Sequence, residues 1–297
     1  MSQSSVVSFT REVPELVFQK ILVAYDFSEA SETALRHAVS LARTFGAFVT
    51  VVSVQSGADY AAEMESGFER KEAHRQLTSD LQQLAQRLTA QGIRNRVMHR
   101  TGAVADVLVQ LAAEQKADLL LLGAYGQKGI DRPRLGSTAE YMLRSMPCAV
   151  LTVGPEAILH DRDVPPMQML LYASSLPKKA GSAELLVMAL AKKSGARVEI
   201  LHVIDSQSRV RDIRSREEMR VAEETLAAEL QRVGVEATWK MLSGPQGQRI
   251  VERSTEIHAD LIVFGLEHVP GYPDAVGTIS RAIWQASCPV LTVPGPG

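Results

Sequence analysis

The segment Ala117-Asp118-Leu119-Leu120-Leu121-Leu122-Gly123 returns late in the chain as Ala259-Asp260-Leu261-Ile262-Val263-Phe264-Gly265. Cys148-Ala149-Val150-Leu151-Thr152-Val153 returns as Cys288-Pro289-Val290-Leu291-Thr292-Val293. Ala47 to Val54 pairs with Ala196 to Val203, and an early apolar run, Ile21 to Tyr25, pairs with Met169 to Tyr172. Matching segments in the same order mean that one unit of about 140 residues occurs twice. A fold that serves one copy must serve the other, and 297 residues hold two domains of ordinary size. The expected domains are 18–154 and 168–294. The linker over 155–167 carries Pro155, Pro165 and Pro166.

Within the first copy, short apolar runs alternate with helical patterns. Ile21 to Tyr25 reads as a strand. Ser28 is placed to cap a helix whose apolar positions Ala34, Leu35, Ala38, Leu41 and Ala42 keep helical spacing, and Gly46 stops it. Val49 to Val54 is a second strand, and Ser66 to Gln91 a long amphipathic helix ended by Gly92. Arg94 to Arg100, Val104 to Gln115, Leu119 to Leu122, Ser137 to Ser145 and Ala149 to Val153 continue as strand, helix, strand, helix and strand. Such alternation calls for a parallel sheet with helices on both faces, and runs rich in Leu and Val suit strands buried on both sides. The fold class is α/β: two repeated, doubly wound, open parallel five-stranded sheets.

Composition narrows the role. Apolar residues make up 45% and charged residues 22%, so each copy can bury a core and stay soluble. The net charge is −2 with no basic run, which disfavours a nucleic-acid partner. Residues 1–17 are polar and mixed, without a signal-peptide core, and no apolar run approaches the roughly 20 residues that span a bilayer. A cytoplasmic protein without membrane insertion is expected. Cys148 and Cys288 open equivalent strands and read as small core residues in a reducing compartment. His37, His74, His99, His160, His202, His258 and His268 show no metal-ligand spacing. Arg209 to Arg232 mixes Arg and Glu at helical spacing, the pattern of an exposed, salt-laced helix.

The most informative stretch for chemistry runs from Gly123 through Tyr125 and Gly126 to Gly136 and Ser137. An apolar strand leads into it and a helical segment leads out. Free backbone N–H groups and the positive end of a helix dipole would converge there, which suits an anion. Glycine allows close approach of a phosphate, and Ser137 adds a hydroxyl at the helix start. No Gly-Lys-Ser/Thr follows, so it is not a Walker A loop, and the spacing is not G-x-G-x-x-G. It reads G-x2-G-x9-G-S.

That spacing, after the fourth strand of a repeat, resembles the ATP-binding motif of the universal stress protein family at all of its fixed positions. The resemblance implies an adenine nucleotide alpha hydrolase-like, Rossmann-like fold. It implies that Asp26, closing the first strand, lies at the adenine and ribose end of the nucleotide, with Ala24 and Tyr25 beside the base and Val54 packed on it. Leu122, Gly123, Tyr125 and Gly126 match residues that contact ribose and phosphate. Gly136, Ser137 and Thr138 match the segment that holds the terminal phosphates. The ligand would be ATP, or ADP or AMP, with Mg2+ neutralising phosphate charge without a dedicated protein ligand. Lys128, Arg132 and Arg134 lie in the loop, as phosphate cover or as solvated side chains. In the family, fused domains mimic the dimer of single-domain members, typically through the last strands, here Ala149–Val153 and Val290–Val293. Two fused chains then pair as a homodimer.

The second copy departs from the motif. Ser174 or Ser175 stands where Asp26 stands, His268 replaces the second glycine, and Pro270 and Pro273 stiffen the loop and remove donors. Gly277-Thr278 keeps a helix-start pair, one residue too early. One nucleotide site, in the first copy, is the expectation. The leading function is an ATP-binding tandem regulatory or stress-tolerance factor that acts through an unidentified protein partner. One alternative is a slow ATPase or phosphotransferase, although no base faces Ser137 and Asp131 stands unsupported. Another is a nucleotide-free interaction scaffold.

Overall fold

The computed structural model describes residues 18–56, 67–126, 135–145, 148–160, 164, 166–174, 181–204, 213–266 and 275–295. It divides into two compact units, residues 18–164 and the chain from 165 onward. The first unit runs β1 Lys20–Ala24, α1 Glu29–Phe45, β2 Phe48–Gln55, α2 Gly67–Ala90, β3 Asn95–Thr101, α3 Val104–Gln115, β4 Leu119–Gly123, α4 Ser137–Ser145, β5 Ala149–Val153 and α5 Pro155–His160. Its strands lie in the order β3-β2-β1-β4-β5, all parallel. The chain reverses direction across the sheet between β1 and β4, so the crevice beyond their carboxyl ends is where such a sheet receives a ligand.

The second unit repeats the plan: β6 Met169–Ala173, α6 Ser182–Ser194, β7 Arg197–Ile204, α7 Ile213–Arg232, β8 Ala237–Ser243, α8 Gln246–Glu256, β9 Leu261–Leu266, α9 Ala275–Gln285 and β10 Val290–Pro294. Its parallel strands lie in the order β8-β7-β6-β9-β10. Each sheet has the five strands that its sequence pattern calls for.

Local chemistry explains the boundaries. The Ser31 N–H donates to the Ser28 hydroxyl at 3.2 Å, capping α1, and Gly46 ends it at φ 69°, a left-handed conformation that glycine adopts without strain. The expected linker opens with α5. Pro155 takes the first helical position, where proline loses no hydrogen bond, so the residue that reads as a linker mark in sequence starts a helix. Helices α3 and α4 cover one face of the first sheet over a core that includes Leu22, Val52, Leu108, Leu120 and Met142. Helices α1 and α2 cover the other and are tied across their surface by Arg87 to Glu32 at 2.9 Å. Cys148 and Cys288 are buried, and burial, with Asp118 and Asp260 nearby, pushes each thiol up to about 12. They are inert core residues. On α7 the expected charge lacing is present, with Arg220 on Glu217 and Glu224, and Arg232 on Glu229.

The repeated Ala-Asp has a structural task that sequence matching does not reveal. Asp118 Oδ2 accepts the backbone N–H groups of Gln19 and Lys20, both at 2.8 Å, and pins the start of β1. Asp260 Oδ2 does the same for Gln168 and Met169, at 2.8 and 2.9 Å. Asp118→Ala removes two charge-assisted bonds at a partly exposed position. It should destabilise the first unit by about 1–2 kcal/mol, read as a lowered thermal midpoint.

Candidate nucleotide crevice

At the end of β1, alternation along the strand sends Ala24 and Tyr25 to opposite faces. Ala24 is half-buried against the α3–α4 core, together with Val54 at the end of β2 and buried Leu122 on β4. Leu135 and Val104 join the same apolar wall. Leu135 directly precedes Gly136, so the motif itself pointed to it. Val104 opens α3 after Gly102, whose N–H donates to the Gln55 carbonyl at 3.0 Å and holds that turn against the end of β2.

Tyr25 turns the other way. Its buried hydroxyl donates to Glu32 Oε2 at 2.6 Å, and burial, with that carboxylate, raises its pKa well above the ordinary phenol value. The ring is committed to the α1 side, which leaves its backbone as the part that borders the crevice.

Asp26 begins the turn into α1. Its Oδ1 accepts the Ser28 N–H at 3.1 Å and the Ser28 hydroxyl at 2.5 Å. Phe27 passes between them at φ 64°, an uncommon conformation for a bulky residue. The other carboxylate oxygen faces Gly126: a Cβ built on Gly126 would stand 2.7 Å from Asp26 Oδ2. Gly123 is tighter still, its virtual Cβ 2.5 Å from Ala30 Cβ and 3.2 Å from the Ala30 carbonyl carbon. Here glycine allows β4 to lie against α1, a packing role beside any ligand role. Tyr125, just past β4, is half-buried, and burial and the Glu29 charge raise its pKa.

The loop returns at Gly136, whose N–H donates to the Ala124 carbonyl at 2.8 Å. The Gly136 carbonyl accepts the Glu140 N–H at 3.0 Å, the first bond of α4. Gly136 is thus the cap, and exposed Ser137 and half-buried Thr138 stand in the first turn, where an α-helix does not satisfy its own N–H groups. Lys128, Asp131, Arg132 and Arg134 lie outside the described residues. The structure therefore gathers Ala24, Asp26, Val54, Leu122, Gly123, Tyr125, Gly126, Gly136, Ser137 and Thr138 around the carboxyl ends of β1, β2 and β4. Among the described residues no group of three or more His, Cys, Asp or Glu could hold a metal ion.

The second unit settles one alternative. Tyr25 N–H donates to the Val52 carbonyl and Ser174 N–H to the Leu201 carbonyl, both at 2.9 Å, so Ser174 corresponds to Tyr25. The counterpart of Asp26 is then Ser175, which lies outside the described residues, as do His268, Pro270 and Pro273. Helix α9 begins at Ala275, so Gly277 and Thr278 sit inside its first turn and not at its cap.

A twice-repeated, doubly wound parallel sheet with a loop-and-helix crevice in its first copy defines a tandem α/β protein of the adenine nucleotide alpha hydrolase-like class. The family model described as the universal stress protein family matches residues 18–154 and again 169–294, and the chain belongs to that family. A universal stress protein of Methanocaldococcus jannaschii is 28% identical over 145 residues, covering 47% of this chain and 84% of that protein. A putative universal stress protein of Staphylococcus haemolyticus is 29% identical over 150 residues, covering 49% and 90%. The crystal structure of a universal stress protein from Archaeoglobus fulgidus superposes with a TM-score of 0.74 over 96% of this chain and 98% of that one, at 20% identity, which is a likeness of fold.

Proposed function

We propose that the first unit binds one adenine nucleotide, ATP or its ADP or AMP relatives, and that the chain serves as a nucleotide-responsive stress-tolerance factor. The observation that carries this reading is the cradle at Gly126, where a bare backbone lies against the Asp26 carboxylate and a single Cβ would fill the gap. In this reading the apolar wall of Ala24, Val54 and Leu122 takes the base, and Asp26 accepts from a ribose hydroxyl. The Gly126 backbone passes the phosphates, and the first turn of α4, with Ser137 and Thr138, receives their charge. Mg2+ would arrive on the phosphates. Loop 127–135 would then take one conformation with nucleotide and another without, giving a protein partner something to read. The reading includes a cytoplasmic homodimer. No described helix is long and apolar enough to cross a membrane.

Denaturing the freshly purified chain and measuring released nucleotide by chromatography should give about one adenine nucleotide per chain, by the stoichiometry of a single intact motif. Intact ATP supports slow or absent turnover, and ADP calls for a timed hydrolysis assay. No released nucleotide, together with no uptake from ATP and Mg2+, would overturn the assignment.

A further inference from the structure

In the first unit, Val23, Leu35 and Leu81 are buried in the layer between the sheet and helices α1 and α2. The second unit places Tyr172, Glu184 and Glu223 at the corresponding positions. Strand register gives the first pair, because Ile21 lies beside Leu119 as Leu170 lies beside Leu261. Helices α1 and α6 both end on a left-handed glycine, Gly46 and Gly195, whose N–H returns to Ala42 and Ala191. Helices α2 and α7 end on Gly92 and Gly234, closed by Ile93 to Leu88 and Val235 to Leu230, both at 3.0 Å. Counting back from these glycines sets Leu35 with Glu184 and Leu81 with Glu223. An apolar layer in one copy is a polar layer in the other.

The two glutamates are held differently. Glu184 accepts the Tyr172 hydroxyl on Oε1 and the Gly181 N–H on Oε2 at 2.7 Å, so its charge is met on both oxygens. Glu223 is 1% exposed, and neither of its buried oxygens has a hydrogen-bond partner. Ser174, just past β6, and Glu184 on α6 act on it directly, and strand register sets Tyr172 on β6 and His202 on β7 on the same face of the sheet as Ser174. The Ser174 hydroxyl stands beside it in a geometry that falls short of a hydrogen bond. His202 bonds the Ser174 carbonyl through Nδ1 at 3.1 Å, and burial lowers its pKa, which favours the neutral ring. On β8 this face carries Ala237, Trp239 and Met241, and on α7 Arg220 is held at the surface by Glu217 and Glu224. No cation among these groups meets a Glu223 carboxylate, and an unpaired buried charge is costly.

We propose that Glu223 is a proton-binding site: the second unit holds it as a neutral carboxyl, and its ionisation loosens α6 and α7 from the sheet. The unit would then respond to proton concentration where its sister unit responds to nucleotide, and the device does not depend on nucleotide binding. Burial is the largest cause that pushes this carboxyl up to about 7; the Ser174 hydroxyl opposes it and the Glu184 charge adds to it. The folded carboxyl thus holds its proton above the unfolded value of about 4.3. Its contribution to stability is complete below that value and is lost as pH rises to about 7. Across the window the folding constant of the unit falls by up to about tenfold per pH unit. His202 acts in the opposite sense, because its neutral folded form is favoured as pH rises, so the difference between the natural chain and Glu223→Gln isolates the carboxyl.

Hydrogen exchange of the full chain, read on peptides from α7 between about pH 5.5 and about pH 8 and corrected for intrinsic rates, tests this. Opening of α7 should rise by up to about tenfold per pH unit toward pH 7 in the natural chain. Glu223→Gln should flatten that rise, and Glu223→Leu, which restores the first unit's residue type, should flatten it and protect α7 at high pH. Parallel profiles for the natural chain and Glu223→Gln would overturn the proposal. So would a carbon-13 titration of the natural chain showing Glu223 ionised below about pH 5, a readout that needs no variant to fold.

Discussion

Gly126→Val should weaken adenine-nucleotide binding at least about 100-fold, about 2.7 kcal/mol, while the first unit keeps most of its stability. The direction follows from what the new side chain meets. Its Cβ would lie 2.7 Å from Asp26 Oδ2, the far end of a side chain that can give way only by loosening its bonds to Ser28. The fold absorbs that movement at a cost of about 1 kcal/mol, because the Ser28 cap on Ser31 does not depend on it. The crevice does not, because the carboxylate leaves its place and the valine methyls occupy the path along the loop. Gly123→Ala gives the contrasting result. Its Cβ would collide at 2.5 Å with Ala30 Cβ and at 3.2 Å with backbone, so β4 and α1 must separate, at a cost of about 1–3 kcal/mol. Equilibrium dialysis with ATP and a denaturant melt on both variants separate the two roles. If Gly126→Val binds as the natural chain does, the cradle is not the phosphate path.

Much of the fold was legible because its signals are local. Ser28, Gly46 and Gly92 mark ends that the sequence alone shows, and the strand of Leu119 to Leu122 needs no partner to be recognised as buried. The glycine spacing and the acid after the first strand were equally visible. What stayed hidden depends on contacts between distant residues. The resemblance sets Tyr25 beside the base, and which part of it would border a ligand is a matter of its contacts. Strand alternation already puts its ring on the face opposite Ala24, and Glu32 and Arg87 then hold that face. Pro155 fits a linker and a helix start equally well from sequence, and only the chain's path decides. Glu223 sits in a run of charges whose exposed members, Glu217 and Glu224, behave as the pattern suggests. One turn position among them is buried, and charge lacing carries no mark of which. Glu184 and Glu199 stand alone in apolar stretches, one helical and one extended, where local sequence does not show which way a lone acid turns; for all three glutamates the repeat offers a route. Each occupies a position where the first unit has Leu35, Thr50 or Leu81.

Glu199→Ala should destabilise the second unit by about 3 kcal/mol. Glu199 is buried mid-strand on β7, and Arg253 on α8 reaches it with two hydrogen bonds of 2.6 Å from Nε and one terminal nitrogen. Removing the carboxylate leaves a guanidinium that is largely covered, with Glu256 at the surface as its remaining partner. The pair itself is a different matter from its breakage, because two charges taken out of water offset much of their attraction. The first unit shows what the same positions hold without charge. Lys116 and His258, both at φ 52°, end α3 and α8 in the same way, which aligns Arg253 with Leu111, and strand register aligns Glu199 with Thr50. There Thr50 donates instead to Gln115 at 2.8 Å. The second unit has Ile257 where the first has Gln115, so a threonine at 199 would lack that acceptor; the double variant Glu199→Val with Arg253→Leu, which removes both charges and leaves no buried hydroxyl, should recover most of the stability that Glu199→Ala loses, measured by urea unfolding of each variant. A double variant as unstable as Glu199→Ala would mean that the pair organises β7 and α8 beyond the cost of its own charges.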